Sequence, residues 1–72
     1  MNLVNAKINA NLRIILISVD KKSEARLKVL GVINGALIKL LCSTSAGVVF
    51  ALEQNVIALS MELACKIKVE YD

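Results

Sequence analysis

Histidine is absent from this 72-residue chain, and its absence removes several classes of chemistry. Histidine is the commonest general base, the central residue of Ser-His-Asp triads and a frequent transition-metal ligand. The six acidic residues show no spacing that predicts a facing carboxylate pair, and the three glycines are too far apart to form a phosphate-binding loop. We therefore expect no enzymatic activity and no catalytic residues.

Cysteine is scarce as well, with only Cys42 and Cys65 present. Two thiols without histidine are too few for a structural zinc site, so we expect no bound metal and no cofactor. The pair has no CxxC spacing, and the N-terminal residues lack the pattern of a secretory signal. We therefore expect reduced thiols, buried as small apolar side chains, in a cytoplasmic protein.

Charge is sparse in the middle of the chain, where Lys39 is the only charged residue between positions 31 and 52. A stretch of that length could cross a bilayer. However, a lysine near the centre of a membrane helix costs about 2.5–3.5 kcal/mol, and the stretch divides into two alternating, β-branched segments. We expect two strands here and no membrane span.

Proline is absent, so glycine and asparagine must mark the turns. The Asn34-Gly35 pair is the strongest turn signal. Ser23 is the expected cap of a short helix over 23–30, which Gly31 would end. A loop is expected over 43–47 and a helical turn over 60–65. The strands are predicted at 12–19, with both faces apolar, and at 37–42, 48–52, 56–59 and 66–70.

Apolar residues make up 57% of the chain, which gives a short chain enough material for an aliphatic core. Five short strands with one or two short helices predict a mainly β fold, a small and partly open β-barrel, formed by residues 1–72 as a single domain. Lys39 is expected on the outer face of its strand. The residues predicted to lie in the core are Leu27, Leu30, Ile38, Leu40, Leu59 and Ile67.

Two stretches of the chain resemble the FeoA family of ferrous-iron-transport accessory proteins. Residues 26–38, RLKVLGVINGALI, are similar to the helix, Leu-Gly turn, second glycine and following strand of that family. Residues 56–69, VIALSMELACKIKV, resemble its later strand, Glu-Leu-Ala turn and closing strand, and the resemblance spans about residues 3–70. The matching turn positions are Leu30, Gly31, Asn34, Gly35 and Gly47. Asn34 stands where the family commonly has proline.

This resemblance implies an SH3-like barrel that associates with the cytoplasmic side of FeoB, the GTP-hydrolysing membrane permease for Fe(II). It implies regulation or coupling of the permease through protein–protein contact. The exposed side of helix 23–30, together with the neighbouring loops, is the expected contact face, because loops on a rigid barrel commonly carry function. Arg26 and Lys28 are the candidate residues.

Two alternatives remain open at this stage. The first is a nucleic-acid-binding SH3-like or OB-like barrel, suggested by the net charge of +3. An aromatic content of 3% argues against it, since such barrels depend on base stacking worth about 1–3 kcal/mol per base. The second is a stand-alone relative of the C-terminal domain of DtxR-type iron-dependent repressors, for which Glu62 and Glu70 would be candidate oxygen ligands.

Overall fold

The strands of this chain form one antiparallel sheet, and a computed structural model describes all residues, 1–72. The elements in chain order are a 3-10 turn (Leu3–Asn5), β1 (Asn11–Ile17), α1 (Lys21–Val29), β2 (Leu37–Thr44), β3 (Gly47–Leu52), β4 (Asn55–Ser60), α2 (Met61–Ala64) and β5 (Ile67–Tyr71). The predicted fold of five strands with one or two short helices is confirmed, and the structure has two short helices. No helix in the structure has the length and apolar character needed to cross a bilayer.

The five strands are ordered β4-β3-β2-β1-β5, so β4 and β5 are the two edges. The pairing shifts between Ile14 and Leu16 in β1, and between Leu40 and Cys42 in β2. Irregularities of this kind bend a strand and increase its twist, which curls the sheet around its inner face. The curled sheet does not close, because β4 and β5 do not pair, and the predicted partly open barrel is confirmed.

Alternation along the strands supplies the core. In β3, the residues Val48, Phe50 and Leu52 face inward, as the period of two along a strand requires. Ile38 and Leu40 do the same in β2 while Lys39 stays exposed, as predicted. No polar residue is buried. The core consists of Leu3, Ala6, Leu12, Ile14, Leu27, Val32, Ile38, Leu40, Val48, Phe50, Leu52, Ile57, Leu59, Ala64, Ile67 and Val69.

Two local predictions were wrong in their boundaries. Helix α1 begins two residues earlier than expected, because Asp20 and not Ser23 is its cap; the Asp20 carboxylate accepts the Ser23 backbone N–H at 2.9 Å. The expected loop over 43–47 is mostly strand. Thr44 pairs with Gly47 across a two-residue turn, so β2 and β3 form a tight hairpin.

Three burial predictions were also wrong. Cys42 and Cys65 are exposed free thiols, because Cys42 lies on the outer face of the sheet and Cys65 follows the last turn of α2. Leu30, predicted as core, is 48% exposed. The outer face of β1 is apolar as expected, but nothing covers it, and Ile15 and Leu16 remain exposed.

Candidate functional site

The C-terminus of α1 is built as a Schellman motif. The Val32 N–H donates to the Leu27 carbonyl at 2.8 Å, and the Gly31 N–H donates to the Lys28 carbonyl at 3.0 Å. Gly31 has φ +87°, a left-handed conformation that favours glycine. Leu27 and Val32 are both buried beneath this turn, which leaves Leu30 pointing outward. The predicted end of the helix at Gly31 is confirmed.

The following turn is anchored to β1. The Ala36 N–H donates to the Ile33 carbonyl at 3.1 Å, and Gly35, third in this turn, has φ +90°. The Gly35 N–H donates to the Ile14 carbonyl at 2.6 Å, and the Ile14 N–H donates back to the Ala36 carbonyl at 2.9 Å. The predicted Asn34-Gly35 turn is therefore present, and backbone hydrogen bonds join it to β1.

A groove lies between this turn segment and the β3–β4 hairpin, and we call it the turn groove. Its volume is about 580 Å³. An added Cβ at Gly31 would lie only 3.1 Å from Leu52 Cδ2. The absence of a side chain at Gly31 therefore leaves space in the groove next to Leu52. The turn groove is lined by Leu30, Gly31, Ile33, Asn34, Gly35, Ala36, Leu37, Leu52, Glu53 and Asn55.

Three large apolar side chains on the turn groove are left half in solvent. Leu30 is 48% exposed, Ile33 is 45% exposed and Leu37 is 51% exposed. Single exposed apolar residues are common on protein surfaces, but these three line one concavity, which makes the groove a candidate interaction site. The groove is chemically suited to hold apolar side chains of another molecule.

A smaller cleft of about 310 Å³ adjoins the turn groove and shares Ile33 and Asn34 with it. Its other lining residues are Ile17, Glu24, Lys28 and Val32. Lys28 therefore stands beside the groove with an acidic neighbour on its own helix. The two concavities together form a continuous surface over the end of α1 and the turn that follows it.

The two cations predicted for partner binding are not brought together. Residues two apart on a helix do not face each other, and Arg26 and Lys28 flank the buried Leu27 on opposite sides. Both are exposed, and neither forms a salt bridge; the ion pair in this structure joins Arg13 and Asp72 at 3.0 Å. Only Lys28 lines the cleft.

Side chains that could hold a metal ion do not form a cluster in this structure. No group of three His, Cys, Asp or Glu side chains is placed to hold a metal ion, and Glu62 and Glu70 belong to no such cluster. Asp20 is the residue with a shifted pKa: the hydroxyl and the backbone N–H of Ser23 hold the pKa of its carboxyl below the ordinary value. This is helix capping.

A model of the FeoA domain matches residues 1–71. The chain belongs to the FeoA family. Membership implies an accessory role in Fe(II) transport. No curated protein sequence matches the chain.

Solved structures agree with this FeoA assignment at the level of fold. The crystal structure of the iron uptake regulatory protein FeoA is 20% identical, with a TM-score of 0.85, over 96% of this chain and 93% of that one. Iron(II) transport protein A from Clostridium thermocellum is 22% identical, with a TM-score of 0.87, over 99% of this chain and 45% of that one. ScaR with bound Zn²⁺ is 20% identical, with a TM-score of 0.86, over all of this chain and 37% of that one.

Four of the five predicted turn positions of this FeoA chain line the turn groove: Leu30, Gly31, Asn34 and Gly35. Gly47 lies elsewhere, in the β2–β3 hairpin, where it packs against the backbone of β4. Sequence reasoning missed the apolar rim at Ile33 and Leu37. For Leu37 a signal was available, since alternation puts it on the same outer face as Lys39.

Proposed function

We propose that this FeoA chain is a single-domain cytoplasmic accessory protein of Fe(II) uptake that regulates a FeoB-type GTPase permease by binding it. The observation that carries the proposal is the turn groove, with the half-exposed side chains of Leu30, Ile33 and Leu37 on a rigid frame. We propose that an apolar segment on the cytoplasmic side of the permease enters this groove.

The size of the groove indicates what the complex needs. Burying the exposed half of three such side chains yields roughly 2–4 kcal/mol. A micromolar complex needs about 8 kcal/mol, and association carries its own entropic cost. The partner must therefore also contact the adjoining cleft, where Lys28 is available for an acidic group. Of the two predicted cations, Lys28 is our candidate for direct contact and Arg26 for a contact on the far side of the helix.

Two competing functions receive less support. The aromatic residues are Phe50, which is fully buried, and Tyr71, which is half exposed. One exposed ring does not form a platform on which successive bases could stack, so nucleic-acid binding is disfavoured. The second candidate is a stand-alone relative of a repressor domain, and the fold shared with part of ScaR is compatible with it. It predicts binding to a repressor's own domains and none to the permease.

A calorimetric titration against the intact permease and its cytoplasmic GTPase region, with and without GTP, tests the proposal. The deciding variant is Leu30→Asp, which places a charge in the turn groove, and its matched control is Val29→Asp. Val29 is the neighbouring helical residue, 87% exposed and outside the groove. We expect Leu30→Asp to weaken binding by at least about tenfold, a loss of about 1.4 kcal/mol, and Val29→Asp to leave it unchanged.

Two further variants divide the surface, since Lys28→Ala should weaken binding more than Arg26→Ala. Thermal unfolding of each variant checks that the fold survives. No binding of the unmodified protein at high micromolar concentration would reject the permease as partner. Binding that Leu30→Asp leaves intact would reject the turn groove as the contact surface.

A further inference from the structure

The edge strand β4 presents unpaired backbone groups to solvent. Leu52 and Asn55 pair across a two-residue turn, which makes them a hydrogen-bonded pair of the antiparallel ladder. Because such pairs alternate with non-bonded ones, the backbone N–H and C=O groups of Val56 and Ala58, and the N–H of Ser60, point away from β3. No turn, loop or side-chain hydrogen bond reaches the backbone of Val56 or Ala58.

This edge also lacks the usual protection. Natural edge strands are shielded by charged side chains, by proline, by bulges or by a covering segment. The six residues of β4, NVIALS, include no charge and no proline, and their pairing with β3 is regular throughout. Val56 is 68% exposed, and Ala58 is exposed as well. The strand is therefore an open template for another strand.

The donors and acceptors of β4 are complementary to those of a second β4 running antiparallel. A two-fold axis through Ala58 pairs the Ala58 residues of the two copies and sets Val56 of each opposite Ser60 of the other. The ladder then holds about four backbone hydrogen bonds between the copies. The Ser60 carbonyl is not counted among the acceptors, because Ser60 is the N-cap of α2 and its carbonyl faces the first turn of that helix. The methyl group of Ala58 leaves room for the two strands to approach at the axis.

The charge and the apolar surface around β4 also favour a second copy of this chain as the partner of that strand. The chain carries a net charge of +3, so most pairs of identical surfaces would repel each other, whereas β4 is neutral. On the outer face, Ala58 stands in register with Val49, and Val49 with Cys42. This uncharged strip would continue across the two-fold axis into the strip of the other copy.

We propose that β4 pairs antiparallel with β4 of a second copy, centred on Ala58, and joins two five-stranded sheets into one. A single short ladder buries less than the roughly 1,200–2,000 Å² of a stable complex. The dimer is therefore weak and concentration-dependent. This proposal goes beyond permease binding and does not rest on it.

Hydrogen exchange of the unmodified protein, followed by NMR at about 50 µM and about 2 mM, reads the pairing directly. We expect the amides of Val56, Ala58 and Ser60 to gain protection at the higher concentration, while the sheet's other exposed amides do not. Sedimentation should show the dimer over the same range. Ala58→Lys should abolish it, and Val29→Lys, which adds the same charge on α1, should not.

Cross-linking supplies a second and independent readout. The background for this test carries Cys42→Ser and Cys65→Ser. In the dimer, Ala58→Cys places one cysteine of each copy opposite the other, with their Cα atoms about 5.5 Å apart, a spacing suited to a disulfide. Val29→Cys is the control for random collision. We expect oxidation to link Ala58→Cys at least about tenfold faster. Equal rates, a monomer at every concentration, or a dimer that Ala58→Lys leaves intact would each overturn the proposal.

Discussion

The two edges of this sheet are treated in opposite ways. At the β5 edge, the Met1 ammonium group donates to the Val69 carbonyl at 2.9 Å, and the Val69 N–H donates to the Met1 carbonyl at 2.7 Å. Asn2 forms a bridge with Lys68, which extends the cover along the strand. At the β4 edge no segment of the chain returns, and the strand carries no charge.

This difference separates an edge that the fold itself covers from an edge that it leaves exposed. The β5 edge is closed by the chain's own N-terminus, and charged side chains such as Lys68 and Glu70 on that strand discourage pairing with other chains. The backbone groups at the β5 edge are therefore used within the domain. The β4 edge and the turn groove both border the β3–β4 hairpin, and they are the two surfaces that we propose for partners.

The largest effect is expected from removing what holds the N-terminal cover in place. Leu3 is fully buried and packs beneath the segment that covers β5. Leu3→Ala should lower the free energy of unfolding by about 2–5 kcal/mol, because it leaves a cavity in the core. Urea denaturation measures this loss. Ile8→Ala, in the same segment but 48% exposed, should change stability by less than about 0.5 kcal/mol. Equal losses would show that the cover is not part of the core.

The attachment of β4 to β3 should be the next most sensitive point. A Cβ at Gly47 would collide with the backbone carbonyl of Leu59, which cannot rotate away. Gly47→Ala should therefore cost about 3 kcal/mol and increase hydrogen exchange across the β3–β4 ladder. Gly35→Ala meets open space and suffers only from its φ of +90°, so about 1–2 kcal/mol is expected. A larger loss at Gly35 would contradict this account.

The smallest effect concerns the cap of α1. Hydrogen bonds from Ser23, with a smaller contribution from the charge of Lys66 just before β5, lower the pKa of Asp20. A carboxyl with a lowered folded pKa contributes stability above its unfolded pKa, near 4, and loses it as the pH falls through the folded value. Asp20→Asn should therefore flatten the pH dependence of the unfolding temperature below about pH 4. An unchanged slope would remove Asp20 as its source.

Local pattern predicted most of the secondary structure. The alternation of Ile38, Lys39 and Leu40 indicated which face of β2 is buried, and the structure has the same arrangement. Gly31 and the Asn34-Gly35 pair marked the helix end and the turn, because these conformations are set by a residue's own steric freedom. The positions that shape the turn groove were therefore recognisable from the chain alone.

Burial near the ends of elements was less predictable. Leu30 lies three residues after Leu27, a spacing that indicates the same helix face, yet the Schellman motif buries Leu27 and Val32 and turns Leu30 outward. Cys42 follows the irregularity in β2, which shifts the alternation and puts the thiol outside. In both cases the outcome depended on where regular geometry stops.

The sequence by itself determined the elements, the turns, the aliphatic core and the family, because each rests on local steric preferences or on the spacing of apolar residues. Tertiary structure alone decided how those elements are exposed. It brought Met1 to Val69 over the length of the chain, left β4 without cover, and assembled the turn groove from two segments about twenty residues apart. These outcomes depend on packing between distant segments, which no local pattern encodes.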